Sequence, residues 1–487
     1  MLAGGDSDEI SPVSDVALIV LAAGAGTRMK SALPKPLHPV AGLPMVLHVL
    51  RAGAAVSPAS TTLVVSPEVT AIADRLDLPR GIQIVVQHPP LGTGDAVRAA
   101  LPFAHAARWL VVLYGDHPLL TGQMVRDLVA GARQSKALVT LLTCELDDAA
   151  AYGRIERDRY GRPVRVVERS DDDPSRRRGR VEINSGMMAI DAEWARSAIP
   201  KLSPSPSKGE YYLTDLVELA VLERATAKGP WPVATVTAPP EVVLGVNDRV
   251  ELARADSIIR ERVRRHHMLN GVTIIAPETV LIDVGVEIGM DTTILPFTMI
   301  EGQSVVGSGC VIGPSASLKN AHIGNNVQVR ASTIVDSAVG DHSDVGPYAH
   351  LRGGTVVADH VHIGNYAELK NATVESSVKI GHVSYLGDVR IGEATNIGAG
   401  TITCNFDGQA KHRTVIGPHA FIGSDSMLVA PVIIGAGART GAGSVVTRDV
   451  PPGVTVVGVP ARELRARVEP GGDHGEQDAS PQPRDNE

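Results

Sequence analysis

Leu21-Ala22-Ala23-Gly24-Ala25-Gly26-Thr27-Arg28-Met29, followed by Pro34-Lys35-Pro36, sets small residues and then cations directly after the apolar run Val16–Leu21. At the end of a strand such a run lets the backbone approach a polyphosphate and point several N–H groups at it. It is not a Walker loop, lacking the Gly-Lys-Ser/Thr ending, and it lacks the third glycine of a dinucleotide fingerprint. Arg28 and, further on, Lys35 supply fixed positive charge suited to a triphosphate and to pyrophosphate as it leaves. Gln87 closes another apolar run ahead of Gly92-Thr93-Gly94-Asp95, where a side-chain amide can read a base edge. Tyr114-Gly115-Asp116 ends the most hydrophobic run of all. A carboxylate there is either a magnesium ligand, with substrate phosphates completing the shell, or a simple turn residue.

A different chemistry is available in Gly381-His382-Val383-Ser384-Tyr385-Leu386-Gly387-Asp388. An amine attacking a thioester must lose a proton, and a histidine titrating near neutrality suits that general-base task. A lone histidine is usually a surface residue. Arg352, Lys370, Tyr385 and Asn396 nearby offer two cations and two hydrogen-bonding groups for a sugar phosphate.

Two kinds of element must position these groups. From Val16, buried-type runs (Val16–Leu21, Thr62–Val65, Ile82–Gln87, Trp109–Tyr114, Ala137–Thr143) alternate with helical stretches (Met45–Ala54, Asp95–Leu101, Gly122–Arg133). That alternation predicts a doubly wound, mostly parallel sheet, with ligands beyond the carboxyl ends of its strands. From Ile282 to Val446 an aliphatic residue returns every sixth position, as in Ile282, Ile288, Ile294, Ile300, Val306, Ile312 and Leu318. A period of six fits neither an amphipathic helix nor strand alternation; it predicts a solenoid of short strands around one aliphatic ladder. Thr403–Arg413 interrupts the count, so it should project as a loop.

Composition narrows the class. The 487 residues carry a net charge of -8, which argues against nucleic acid as a partner. No apolar run reaches the ~18 residues of a spanning helix. Cys144, Cys310 and Cys404 are scattered and odd in number, which predicts a reducing, cytoplasmic setting rather than a disulfide framework or zinc site. The first twelve residues are acidic and Gly/Ser-rich, unlike a signal peptide.

With the later Tyr152-Gly153-Arg154-Ile155, Glu168, Glu182-Ile183-Asn184-Ser185-Gly186 and Gly209–Asp215, the N-terminal motifs resemble those of sugar-phosphate nucleotidyltransferases. The six-residue units resemble the hexapeptide repeats of the left-handed parallel β-helix. Together, over roughly residues 14–465, the chain resembles the bifunctional N-acetylglucosamine-1-phosphate uridyltransferases/glucosamine-1-phosphate acetyltransferases.

The resemblance implies a fold of α/β plus β-solenoid class: a Rossmann-like domain, a linker helix and a β-helix. It implies that Leu21, Ala22, Ala23, Gly24, Arg28, Lys35, Gln87, Gly92 and Thr93 bind UTP, and that Asp116 with Asn247 holds Mg2+. Tyr114, Gly115, Asp116, Gly153, Glu168, Asn184 and Asn247 would serve N-acetylglucosamine-1-phosphate. In the β-helix, His382 would be the base, with Arg352, Lys370, Tyr385 and Asn396 on glucosamine-1-phosphate. Ala399, Asn405, Phe406, Ser424 and Ala442 would line the acetyl-CoA site, with Phe406 where the family commonly has tyrosine. A homotrimer is implied, as is UDP-N-acetylglucosamine for peptidoglycan and cell-wall synthesis, hence cell shape. The alternative is a single-activity nucleotidyltransferase whose β-helix only trimerises it.

The expected divisions are a disordered start (1–13), the uridyltransferase domain (14–247), a helical linker (248–270), the β-helix (271–465) and a disordered tail (466–487). Ser170–Gly179, with three acids followed by three bases, is expected to be a solvated loop, because like charges packed closely repel. His266 and His267 are expected to be exposed in the last turns of the linker helix.

Overall fold

The computed structural model describes residues 15–464, apart from 25, 74–75, 77, 105–106, 150–151, 206–208 and 225–228; the expected disordered ends lie outside these. The chain forms two compact units, one running to His266 with Ile282–Gly285, the other comprising His267–Leu281 and the chain from Val286.

The first unit is built on a nine-stranded sheet. Its strands are β1 (Val16–Ala22), β2 (Ser60–Val65), β3 (Ile82–Val86), β4 (Trp109–Tyr114), β5 (Val139–Asp148), β6 (Arg154–Arg157), β7 (Pro163–Val167), β8 (Arg178–Asp191) and β9 (Val233–Thr237). The order across it is β9-β5-β8-β4-β1-β2-β3, with the β6–β7 hairpin attached to β8. β1 pairs in parallel with β2 and β4, whereas β8 runs antiparallel to β4 and β5.

Both faces of the sheet are covered, so β1 reads as a continuous apolar run rather than an alternation. Leu18, Val20 and Ala22 face one core with helices α1 (Met45–Gly53) and α3 (Gly122–Ser135). Ala17, Ile19 and Leu21 face the other, with α2 (Thr93–Ala100), α4 (Ala192–Ala198) and α5 (Asp215–Arg224). The long helix α6 spans Arg249–Leu269. Asp248 caps it by accepting from the Val250 and Glu251 amides, both at 2.9 Å.

The second unit is a parallel β-helix. One sheet has twelve strands, parallel until a final antiparallel pairing, and a second has seventeen. Coils extend beyond the regular six-residue run, from Thr273–Ile274 to Thr455–Val457. The ladder fills the interior: Ile294, Ile300, Ile312, Leu351, Ile363, Leu369 and Ile434 are fully buried, while Ile288 is half-buried.

Two local expectations are overturned. The 170–179 segment is exposed at most of its described residues but is not wholly solvated, because Asp172 has a side chain only 1% exposed, paired with Arg154 at 2.8 Å and with the buried Arg177 at 3.1 Å. Adjacent like charges do not meet in space: Asp171 and Asp173 face solvent while Asp172 points inward to cations. His266 is exposed, but His267 is buried. The chain folds back there, and the Asn270 and Val272 amides both donate to its carbonyl.

Replacing the fully buried Ile363 by alanine should cost roughly 2–5 kcal/mol. A lowered denaturant midpoint for the β-helix, followed by circular dichroism, checks this; an unchanged midpoint would show that the ladder is not its core.

Candidate active sites

β1 and β4 are adjacent and parallel, so the loops that follow them open on the same edge of the sheet. Gly26, with φ 59°, lets the chain turn back, and a Cβ there would lie 2.5 Å from Lys35 Cβ. Lys35 is thereby brought over the end of β4, where its Nζ donates to Asp116 Oδ2 at 2.5 Å and to Asn247 Oδ1 at 3.0 Å. Arg28 donates to the same Asn247 oxygen at 2.8 Å. Asn247 is fixed in turn by its amide, which donates to Glu251 Oε2 at 2.6 Å.

Burial opposes ionisation of Asp116, but His117 and Lys35 outweigh it and hold the carboxyl well below the usual range. The His117 Nδ1 lies 2.8 Å from Asp116 Oδ1. Two oxygens from distant parts of the chain thus converge on one positive charge, the donor set a hard dication takes. The residues present therefore fit a magnesium ion.

These groups open on a cavity of ≈450 Å³ lined by Leu21, Ala22, Ala23, Gly24, Arg28, Lys35, Gln87, Gly92, Thr93, Tyr114, Asp116 and Asn247. Glu210 and Tyr212 line it too, although no sequence signal beyond their motif singled them out. The buried Gln87 donates to Gly92 O at 3.0 Å and Asp95 Oδ2 at 2.9 Å, so its carbonyl oxygen is left to accept. Main-chain bonds between Leu91, Gly94 and Tyr211 seat the Gly92-Thr93 turn. Gly115 is buried against β1, and a Cβ there would lie 3.2 Å from the Ala22 Cβ.

Gly153, Glu168 and Asn184 do not line this cavity but form a second cluster. The Asn184 amide donates to Gly153 O at 2.8 Å, and Thr214 donates to Glu168 at 2.8 Å. A Cβ on Gly153 would meet Val166 at 2.8 Å and Glu168 Oε2 at 3.4 Å.

In the β-helix the repeat aligns residues far apart in sequence. Main-chain amides of Val383, Gly400, Asp425 and Gly443 donate to the carbonyls of Asn365, His382, Ala399 and Ser424 at 3.1, 3.0, 2.7 and 2.8 Å. Asn365, His382, Ala399, Ser424 and Ala442 therefore form one column, a residue per coil. His382 is exposed, and its Nδ1 is hydrogen-bonded to Asn365 Oδ1. Beyond it the column has only small side chains, which leaves room for an extended ligand along the coils.

Beside the column, the strands of Arg352, Lys370 and Tyr385–Gly387 are neighbours: Arg352 is in register with Lys370, and Lys370 with Gly387. Arg352 donates to Glu368 at 2.8 Å. Lys411, from the interrupting loop, brings a further cation against Lys370 and depresses its pKa. Asn396 lies on the strand one coil beyond Lys379. Asn405 anchors the loop by donating to Asp388 at 2.5 Å, and Phe406 is exposed. Asn365 and Lys411 were not singled out from sequence; the signal for Asn365 is its place one coil before His382.

Three family models match: the MobA-like NTP transferase domain over residues 18–167, the GMPPB C-terminal domain over 276–374 and the bacterial transferase hexapeptide over 413–448. They join a nucleotidyltransferase unit to a hexapeptide-repeat transferase unit in one chain. The chain is 43% identical to the bifunctional protein GlmU of Pelobacter propionicus, over 91% of this chain and 95% of that protein. It is 43% identical to that of Heliobacterium modesticaldum (90% and 94% covered) and 41% identical to that of Mycobacterium tuberculosis (93% and 92%). The chain belongs to the bifunctional GlmU family.

Burial raises the thiol pKa of all three cysteines, that of Cys144 up to about 12 with help from the Glu182 charge. Cys144 and Cys310 are buried and Cys404 only half-buried. In native protein at mildly alkaline pH a thiol reagent should modify Cys404 first, and Cys144 and Cys310 only on unfolding. Peptide mapping of the labelled protein would show the order.

Proposed function

We propose that this protein makes UDP-N-acetylglucosamine by two reactions in separate units. The β-helix transfers acetyl from acetyl-CoA to glucosamine-1-phosphate, and the N-terminal unit then joins the product to UMP from UTP, releasing pyrophosphate. The observation that carries the two-reaction reading is His382, hydrogen-bonded to Asn365 at the head of a small-residue column and next to a cationic strand cluster. A β-helix serving only to assemble the protein has no use for that group.

In acetyl transfer, Arg352, Lys370 and Lys411 hold the sugar phosphate, while Tyr385 and Asn396 orient the amino sugar. With Nδ1–H donated to Asn365, the lone pair of His382 is on Nε2, which accepts the proton as the amine adds to the thioester carbonyl. The thiolate of coenzyme A then leaves, and acetyl-CoA lies along Ala399, Ser424 and Ala442, with Asn405 and Phe406 covering it.

In uridylyl transfer, a phosphate oxygen of the sugar phosphate attacks the α-phosphorus of UTP. The Gln87 carbonyl accepts from the uracil ring N–H, and Gly92-Thr93 border the ribose. Arg28 and Lys35 turn from Asn247 to the phosphates and neutralise charge that grows on pyrophosphate. Asp116 and Asn247 would hold Mg2+, which supplies electrophilic polarisation of the phosphates. Gly153, Glu168 and Asn184, with Tyr114 and Gly115 at the end of β4, hold the N-acetyl sugar, so catalysis is alignment plus charge neutralisation. A homotrimer in the cytoplasm is the assembly and setting that accord with this reading; no helix among the described residues is long and apolar enough to cross a membrane.

One-pot product analysis with glucosamine-1-phosphate, acetyl-CoA, UTP and magnesium should give UDP-N-acetylglucosamine. His382→Ala should lose about 10²–10⁴-fold in coenzyme A release while keeping uridylyl transfer. Coenzyme A release equal to wild type would overturn the acetyltransferase assignment. Chelation of magnesium should stop uridylyl transfer and leave acetyl transfer running; both stopping together would contradict a metal confined to the first site.

A further inference from the structure

The acid–base run 170–179 belongs to neither reacting group, yet it contains the most enclosed carboxylate of the salt bridges in its unit. Asp172 accepts from Arg154 Nε at 3.0 Å and Nη2 at 2.8 Å, and from Arg177 Nη1 at 3.1 Å. Arg177, itself buried, then reaches back with Nη2 to donate to the Tyr152 carbonyl at 2.9 Å. The two residues flanking Gly153 are thus tied to one carboxylate, Arg154 directly and Tyr152 through Arg177.

The gripped segment has little slack elsewhere. Gly153 O accepts from the Asn184 amide at 2.8 Å, and a Cβ on Gly153 would press on Val166 and Glu168. The Tyr152 hydroxyl accepts from the Gly245 amide at 2.9 Å, two residues before Asn247. A buried carboxylate between two guanidiniums is costly to disturb, so it holds backbone more firmly than a surface pair would.

We infer that Asp172 and Arg177 are positioning residues for the sugar-phosphate substrate: they fix the Tyr152–Gly153–Arg154 segment and so set the clearance among Gly153, Glu168 and Asn184. The assignment rests on the proposed uridylyl transfer to N-acetylglucosamine-1-phosphate. It predicts an effect on one substrate only, since none of the clamp residues lines the cavity that receives the nucleotide.

The test compares Asp172→Asn and Arg177→Lys with wild type in full-length protein with magnesium. The measurements are KM for each substrate, kcat, and UTP binding by calorimetry. Arg177→Lys keeps the charge beside Asp172 but cannot also reach the Tyr152 carbonyl. The expected result is a KM for N-acetylglucosamine-1-phosphate raised roughly tenfold or more, with the KM and binding of UTP within about twofold of wild type. A sugar-phosphate KM within about twofold in a variant that binds UTP normally would overturn the proposal. So would equal losses toward both substrates, or loss of UTP binding in both variants, either of which makes the cluster a general prop of the fold. Failure of the wild type to use the sugar phosphate at all would instead remove the reading beneath it.

Discussion

Asp116 sits where burial would drive its carboxyl to take up a proton, and it stays ionised because Lys35 and His117 press positive charge and hydrogen bonds against it. Taking a charge out of water is tolerated only when partners compensate it. Meeting that condition draws three stretches together: the loop after β1 that carries Lys35, the end of β4, and Asn247 at the start of α6. The cavity lined by Arg28, Lys35, Asp116 and Asn247 is what remains between them. The groups paired here are those the proposed function assigns to the triphosphate and the dication, so under that proposal folding and binding draw on one set of charges.

The β-helix solves its positioning problem without charge. Main-chain hydrogen bonds between coils repeat with little variation, and the aliphatic ladder fixes the register of each coil on the next. Any residue at a given corner therefore stands in line with its counterparts above and below. His382 gains an orienting partner from the coil before it and a clear strip of small residues after it by this means alone. The interrupting loop adds Lys411 without disturbing the stack, because an insertion at a corner projects outward.

The segment carrying Asp172 shows where reading by composition misleads. Three adjacent acids and three adjacent bases suggest mutual repulsion and solvent, yet neighbours in sequence point in different directions once the backbone is bent. Asp172, in a turn, points inward to Arg154 on strand β6, whereas Asp173 caps its own turn through Ser175. His267 differs from expectation for a similar reason, since the chain doubles back over the end of its helix. Neither outcome is encoded in a local pattern.

The sequence alone determined the two architectures, because hydrophobic periodicity reports directly on which element buries its apolar side chains. It also pointed to the stretch Leu21–Gly24 with Arg28, Lys35 and Asp116, which line one cavity, since small residues, cations and a carboxylate at the ends of neighbouring apolar runs open on one edge of a sheet. Tertiary structure decided the rest: that Gln87 spends its amide hydrogens internally, that Asn365 orients His382, that Lys411 joins Lys370, and that a charged run clamps Gly153. Each depends on a contact between residues distant along the chain or on a change of direction at a turn. Spacing in one dimension carries no record of such contacts; packing creates them.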